Sequence, residues 1–219
     1  MLPDYHIHTP LCRHATGSPA EYVRAGAAAG VPEMCFTDHA PNLDGVGRDV
    51  SMEMEQFPEY RDTIAPLRNQ ETPKVLFGIE ADYYPGCERS LPGWLASGSF
   101  DIVLGSVHYM NGWGIDNEAE MAAWKTADVG EVWKRYFETV ARMAKTGLFD
   151  VAAHLDLPKK FDYRPPENTI AELVKPALDS IAAAQMTLEI STAGLRKPAR
   201  EIYPSPMILA LARERGARG

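Results

Sequence analysis

Asp4-Tyr5-His6-Ile7-His8-Thr9 is the stretch on which the reading of this chain turns. It closes a strand-like run over Leu2 to Ile7. Residues two apart in a strand project from one face, so His6 and His8 present two imidazoles side by side. Such a pair can hold one metal ion from one side. Alone, it also fits two polar residues at a strand end.

Outward from this stretch the arrangement recurs. Met34-Cys35-Phe36-Thr37-Asp38-His39, Val103-Leu104-Gly105-Ser106-Val107-His108 and Asp150-Val151-Ala152-Ala153-His154 each close an apolar run on a histidine. Lys74 to Ile79 ends on the acid Glu80, and His14 follows the first run by a few residues. Together these places hold all 6 histidines of the chain. Imidazoles and a carboxylate gathered at strand C-terminal ends of a βα-repeating chain are the makings of a metal site.

Between the runs lie helix signals. Ser18-Pro19 opens a helix over Ala20 to Ala29, stopped at Gly30. Strand two is expected over Glu33 to Thr37, a loop over Ala40 to Ser51, and a helix over Phe57 to Asn69 kinked at Pro66. Lys74 to Ile79 is strand three, Glu88 to Ser97 a short helix, and Ile102 to Val107 strand four. Val129 to Thr146 is the strongest helix, with Trp133, Phe137, Val140 and Ala144 on one face. Asp128 is its cap, Glu131 holds the capping-box position and Gly147 is the stop. Val151 to Ala153, a helix over Glu167 to Ala184, strand Thr187 to Ile190 and a helix from Ser205-Pro206 to Gly216 complete the pattern. Alternation of this kind implies a parallel sheet with helical crossovers, an α/β fold. The βα count reaches six before the chain ends at Gly219. An open sheet of that size would leave an edge strand bare, so the expectation is either that the sequence is a fragment or that a final strand and helix are missing.

The length of 219 residues suits a single domain over 1–219 with a sizeable core. A net charge of −8 argues against a broad nucleic-acid surface. No apolar stretch is long enough to span a bilayer, and Met-Leu-Pro-Asp-Tyr lacks a basic leader region, so neither membrane nor export is expected. The 3 scattered cysteines, Cys12, Cys35 and Cys87, fit a reduced cytoplasmic protein. Cys12 lies close enough to the histidines to be a ligand, or is a small buried thiol.

Each candidate has two readings. His14 is a ligand or an exposed loop residue, and His39 a ligand or a turn cap. His108 and His154 follow small or apolar residues, and burying both without partners would be costly. An unpaired carboxylate at Glu80 would be costlier still, and a metal resolves that cost, with the carboxylate a natural bridge between two ions.

The motifs resemble the PHP (polymerase and histidinol phosphatase) superfamily. The matching stretches begin with Asp4 to Cys12, Glu80-Ala81-Asp82-Tyr83 and Gly105-Ser106-Val107-His108-Tyr109. His154-Leu155-Asp156-Leu157-Pro158-Lys159-Lys160-Phe161 and Thr192-Ala193-Gly194-Leu195-Arg196 are similar to the histidinol-phosphatase branch in particular. The resemblance spans essentially the whole chain. It implies a distorted (β/α)7 TIM-like barrel whose seventh strand and last helix are absent here, with a three-metal site on its C-terminal face. By the resemblance, His6, His8 and Glu80 hold the first ion. Glu80 bridges to a second with His108 and His154, and His14 with His39 hold the third. The family closes its site with a Ser-Asp-x-His segment that this sequence does not show. The ions are divalent: zinc, iron or manganese.

The activity implied is metal-dependent hydrolysis of L-histidinol phosphate, a small phosphate monoester, to L-histidinol and phosphate in L-histidine biosynthesis. A hydroxide bridging two ions about 3.5–4 Å apart is expected to attack phosphorus. Glu80, His108 and Asp38 form the expected catalytic set, Asp38 orienting a ligand, relaying a proton or only capping a strand end. Arg196, Lys159 and Lys160 are the expected phosphate cations, Arg196 first because guanidinium grips phosphate bidentately. Their other reading is solvated loop charge. Asp82 and Asp156, with Tyr83, Tyr109 and Trp113, are candidates for the substrate's amine and imidazole. The alternatives are a PHP phosphoesterase acting on a nucleotide or nucleic-acid end, and an inactive metal-binding module. Oligomeric state is not readable from the sequence.

Overall fold

The structure, a computed structural model, describes residues 2–41, 43–45, 47 and 49–217. Met1 of the N-terminal reading, Asn42, Val46 and Arg48 of the expected loop, and Arg218 with Gly219 at the chain end lie outside the described residues. The chain divides into two units, Met1–Ala81 with Cys87–Leu104, and Asp82–Gly86 with Gly105–Gly219.

In the first unit β1 (Asp4–Ile7), β2 (Glu33–Phe36), β3 (Lys74–Asp82) and the start of β4 (Ile102–Ser106) lie in the order β1-β2-β3-β4. The pairs β1–β2 and β2–β3 are parallel. Helix α1 (Pro19–Ala29) has Ser18 in a complete capping box with Glu21 and ends on a left-handed Gly30. The expected helix over 57–69 is instead α2 (Phe57–Ile64) followed by a 3-10 turn, Ala65–Asn69. Pro66 offers no N–H and its ring crowds the preceding turn, so the α-helix stops rather than kinks. The expected helix over 88–97 is a 3-10 turn, Cys87–Arg89, then α3 (Leu91–Gly98). Strand β3 outruns its apolar stretch because backbone bonds continue past it: Glu80 N–H donates to Asp38 O at 2.9 Å and Ala40 N–H to Glu80 O at 2.8 Å. Gly78 permits this close pairing, since a Cβ there would lie 2.7 Å from Cys35 Sγ and Ile102 O. Phe36, Tyr60, Ile64, Val75, Phe77 and Ile79 fill the core of this unit.

In the second unit the ends of β3 and β4 continue to β7 (Val151–Ala152) and β8 (Thr187–Leu188), in the order β3-β4-β7-β8. Tyr83 N–H donates to Ser106 O, and Ala153 N–H to Gly105 O. β7 and β8 are parallel. A hairpin of β5 (Tyr109–Met110) and β6 (Trp113–Gly114) turns on Asn111 and Gly112, both at positive φ (55° and 81°). Helix α4 (Val129–Lys145) buries Trp133, Phe137, Val140 and Ala144, as its periodicity predicts. Asp128 accepts from Glu131 N–H, but the Glu131 side chain pairs with Arg135 at 2.7 Å, so only half of the expected capping box forms. α5 (Glu167–Ala183) packs on α4 and carries Pro176 within it; α6 (Pro206–Glu214) is capped by Ser205. Among the described residues no helix is long and apolar enough to cross a membrane.

Candidate metal centre

In the first unit four imidazoles cluster, three of them around one carboxylate. Ring centroids are 5.0 Å apart for His6–His8, 5.0 Å for His8–His14, 4.7 Å for His8–His39 and 5.2 Å for His14–His39. β1 supplies His6 and carries directly into His8, as the spacing of two predicts. His14 is turned back by a 3-10 turn, Pro10–Cys12, capped by Thr9 and closed by a left-handed Arg13. His39 is brought to the centre by a parallel bridge to Glu80.

Glu80 is buried at 1% exposure, and its Oε2 lies 3.1 Å from His6 Nε2, 3.3 Å from His8 Nε2 and 3.3 Å from His39 Nδ1. Nitrogen and oxygen ligands about 2.0–2.1 Å from a tetrahedral ion stand about 3.3 Å from one another. The donor set therefore fits a divalent metal in both chemistry and spacing. The donor atoms of His8, His39 and Glu80 all fall within 4.8 Å of each other, and so do those of His8, Cys12 and His14.

Asp38 lies behind His8. Its carboxylate is fully buried, faces His8 Nδ1 at 3.4 Å, and accepts from Thr9 N–H at 3.2 Å and from the Thr9 hydroxyl. Asp38 N–H donates at 3.3 Å to the hydroxyl of Tyr60, which itself donates toward Phe36 O or Gly78 O. Burial alone would lower the His8 pKa; Asp38, Cys12 and Glu80 outweigh it and hold the imidazole well above its ordinary value. Cys12 is buried with Sγ 3.8 Å from His14 Nε2. Burial pushes its thiol up, but His14 and His8 bring it below the usual value, while Cys12 in turn raises His14.

The second unit has its own imidazole pair, His108 and His154, with centroids 4.9 Å apart. His108 Nδ1 lies 2.6 Å from Asp82 Oδ1 and donates to it, which fixes the tautomer and makes Nε2 the nitrogen that could hold a metal. His154 sits at φ 26° in the left-handed region; its N–H donates to Glu189 Oε2 and its carbonyl accepts from Tyr136. Beside the pair is Asp116, whose carboxylate and carbonyl take two bonds from Lys160 Nζ, at 3.0 and 2.6 Å. Burial would raise the Asp116 pKa, but His108, Lys160 and His154 hold it below the usual range.

Five residues of the sequence expectation need correction. Lys159 is 1% exposed, and its Nζ donates to Asp156 Oδ2 (2.7 Å), Glu201 Oε2 (3.0 Å) and Ile202 O (2.7 Å). With all three protons committed it has none for phosphate. Asp156 is equally buried, its Oδ2 taken by Lys159 and by Ser205 N–H, so it does not receive an amine. Asp82 is engaged by His108. Tyr83 is buried with its ring edge-on to Phe149, and Trp113 packs against Trp124. Arg196 is exposed at the end of a 3-10 turn, Ala193–Arg196, that buries Gly194. Asp116 and Tyr60 were missed by sequence reasoning. No local motif marks either one, and each acquires its role through a partner far along the chain.

Known proteins share this architecture. The model of the PHP domain matches residues 4–193. A Deinococcus radiodurans protein named probable histidinol-phosphatase is 42% identical over 98% of this chain and 82% of its own length. The histidinol-phosphatase of Bacillus subtilis is 25% identical over 97% of this chain and 88% of its own. A crystal structure from Lactococcus lactis, described as histidinol phosphate phosphatase complexed with zinc, L-histidinol and phosphate, superposes with a TM-score of 0.81. It covers 99% of this chain and 83% of the other at 20% identity, a likeness of fold.

Proposed function

The chain belongs to the PHP domain family, and from that membership we propose that it is a metal-dependent phosphomonoesterase hydrolysing L-histidinol phosphate to L-histidinol and phosphate. The observation that carries the proposal is the buried Glu80 carboxylate, with imidazole nitrogens of His6, His8 and His39 at 3.1–3.3 Å. It is joined by relatives named for this activity along the whole chain.

Three divalent ions suit the ligands: one with His6, His8 and Glu80, one with His14 and His39, and one with His108 and His154. Such ions, when bound, lower the pKa of a water to about 7 and neutralise phosphoryl oxygens. Nitrogen and carboxylate donors suit zinc, iron or manganese. The remaining work falls to side chains. Asp38 and Asp82 hold His8 and His108 in ligating orientation. Arg196 grips the phosphate as a bidentate fork, with Lys160 a second cation. The substrate ammonium takes the place of Lys160 on the Asp116 carboxylate, which releases Lys160 to the phosphate. The reduced thiols of Cys12, Cys35 and Cys87 suit a cytoplasmic enzyme of amino-acid biosynthesis.

The test is phosphate release by the zinc-, manganese- or iron-loaded protein from L-histidinol phosphate and from an aryl phosphate that lacks an amine. A charge-assisted bond to the ammonium is worth about 1.5–3 kcal/mol, so kcat/KM should favour histidinol phosphate by about 10–100-fold. Asp116→Asn should erase most of that preference. Equal turnover of both esters by the unaltered protein would remove the substrate assignment.

A further inference from the structure

Past β8 the chain forms a strap that leaves the sheet at Ser191 and returns at Tyr203. The two residues exchange backbone bonds, Ser191 N–H to Tyr203 O at 2.7 Å and Tyr203 N–H to Ser191 O at 2.9 Å. The outgoing arm carries Leu195 and Arg196. Both are exposed, and backbone bonds within the arm close its own turn, Leu195 N–H to Thr192 O and Lys197 N–H to Gly194 O. The return arm is tied down. Lys159 Nζ donates to Glu201 and to Ile202 O, Arg164 donates to Glu201 and to Ala199 O at 2.8 Å each, and Ser205 N–H donates to Asp156. Gly194 joins the arms: a Cβ there would lie 2.0 Å from Glu201 O, so the outgoing arm rests on the backbone of the return arm.

A lysine ammonium buried to 1% is an expensive way to hold a loop, since apolar packing would do so without desolvating a charge. What the ammonium adds is direction. It fixes one carboxylate and one carbonyl of the return arm at bonding distance, and through Gly194 it sets where the outgoing arm lies. We propose that Lys159 is a positioning residue for Arg196, locking the strap so that the guanidinium is held where it meets the substrate phosphate. This rests on the reading of Arg196 as the phosphate clamp. It reverses the sequence expectation for Lys159, which acts on the phosphate through another residue and does not touch it.

The experiment is a double-mutant cycle in the metal-loaded protein with L-histidinol phosphate, combined with hydrogen–deuterium exchange of the 191–203 segment. Lys159→Met removes the anchor. Asp156→Asn with Lys159→Met is the companion that leaves no uncompensated carboxylate, in case the single variant folds poorly. Arg196→Ala should raise KM about 10–100-fold. Lys159→Met should raise KM about tenfold, with kcat within about threefold, and should speed exchange in the strap. In the Arg196→Ala background, Lys159→Met should change KM by less than about twofold, because the residue it positions is gone. Equal effects of Lys159→Met in both backgrounds, or unaltered strap exchange, would overturn the proposal while leaving the clamp reading intact. An Arg196→Ala enzyme with unaltered KM would remove the clamp reading itself, and the positioning role with it.

Discussion

Asp82→Asn probes the proposed metal ligands of the second unit one bond at a time. In the native chain His108 Nδ1 stands 2.6 Å from Asp82 Oδ1, with the two side chains only 10% and 22% exposed. A hydrogen bond to a charged acceptor contributes about 1.5–3 kcal/mol and a neutral one about 0.5–1.5 kcal/mol. Asparagine keeps the shape and one acceptor oxygen, so the loss is about 1–1.5 kcal/mol, or roughly five- to tenfold in affinity for an ion on His108. A second effect adds to it. The new amide can turn its NH2 toward Nδ1, favouring the tautomer in which Nε2 carries the proton and cannot bind metal. Outer carboxylates of this kind are worth about 10–100-fold in metal affinity. Zinc should therefore be returned to the stripped protein in competition with a chromophoric chelator. The expected result is one class of ion weakened about 10–30-fold, with the others and the melting temperature little changed. Retention of every equivalent within about twofold would refute the reasoning. So would weakening of all classes together.

Three further predictions follow from the first unit. Glu80→Gln should lower the zinc bound per chain while leaving the metal-free protein folded, because a buried charge is removed with its volume kept; unchanged zinc content by elemental analysis would count against the Glu80 cluster. Tyr60→Phe keeps the ring but strips the hydroxyl from Asp38 N–H and from Phe36 O or Gly78 O at a fully buried position. That should cost about 2 kcal/mol, a fall of about 4–8 °C in melting temperature, and a shift below about 1 °C would show that the hydroxyl is not structural. The Glu33 carboxyl is held below its usual range first by Lys74 and then by the Tyr5 hydroxyl. Its stabilisation is therefore present above the unfolded carboxylate pKa and lost as pH falls through the lowered folded value. Lys74 is largely exposed, so Glu33→Gln should cost about 0.5–1 kcal/mol at pH 7 and almost nothing near pH 2–3, read from urea midpoints; an equal cost at both would contradict the assignment.

The gathering of His6, His8 and His39 within the first unit was legible because β-periodicity and chain direction place them: each follows an apolar run, and the parallel β1 and β2 end side by side. Helix α4 was legible for the same kind of reason, a clean apolar stripe between Asp128 and Gly147. Pro66 was seen but its effect misjudged, since a kink and a stop have the same sequence signature. The β5–β6 hairpin was missed although Met110-Asn111-Gly112-Trp113 carries an Asn-Gly turn, a strong hairpin signal. Its strands are too short for any periodicity to call attention to them. The carboxylates were the hardest to place. Asp82, Asp116 and Asp156 all follow site-bearing runs, and sequence gives them one appearance. Only tertiary pairing separates the one that orients a histidine, the one beside the histidine pair and the one that neutralises a buried lysine.

The aromatic group beside the hairpin also has an optical consequence. Trp113 and Trp124 lie 4.9 Å apart edge to face, and Trp124 stacks within 10° of parallel on Tyr163 at 5.4 Å. Trp124 is further pinned by its indole N–H, which donates to Ile115 O one residue before Asp116. Indoles held this close share their excited states, so their intense transition should give a paired positive and negative band in far-ultraviolet circular dichroism. The two remaining tryptophans, Trp94 and Trp133, have no indole partner among the ring contacts and serve as the background. The protein thus carries its own chromophore, bonded one residue from Asp116, and the order of the hairpin can be followed without any label.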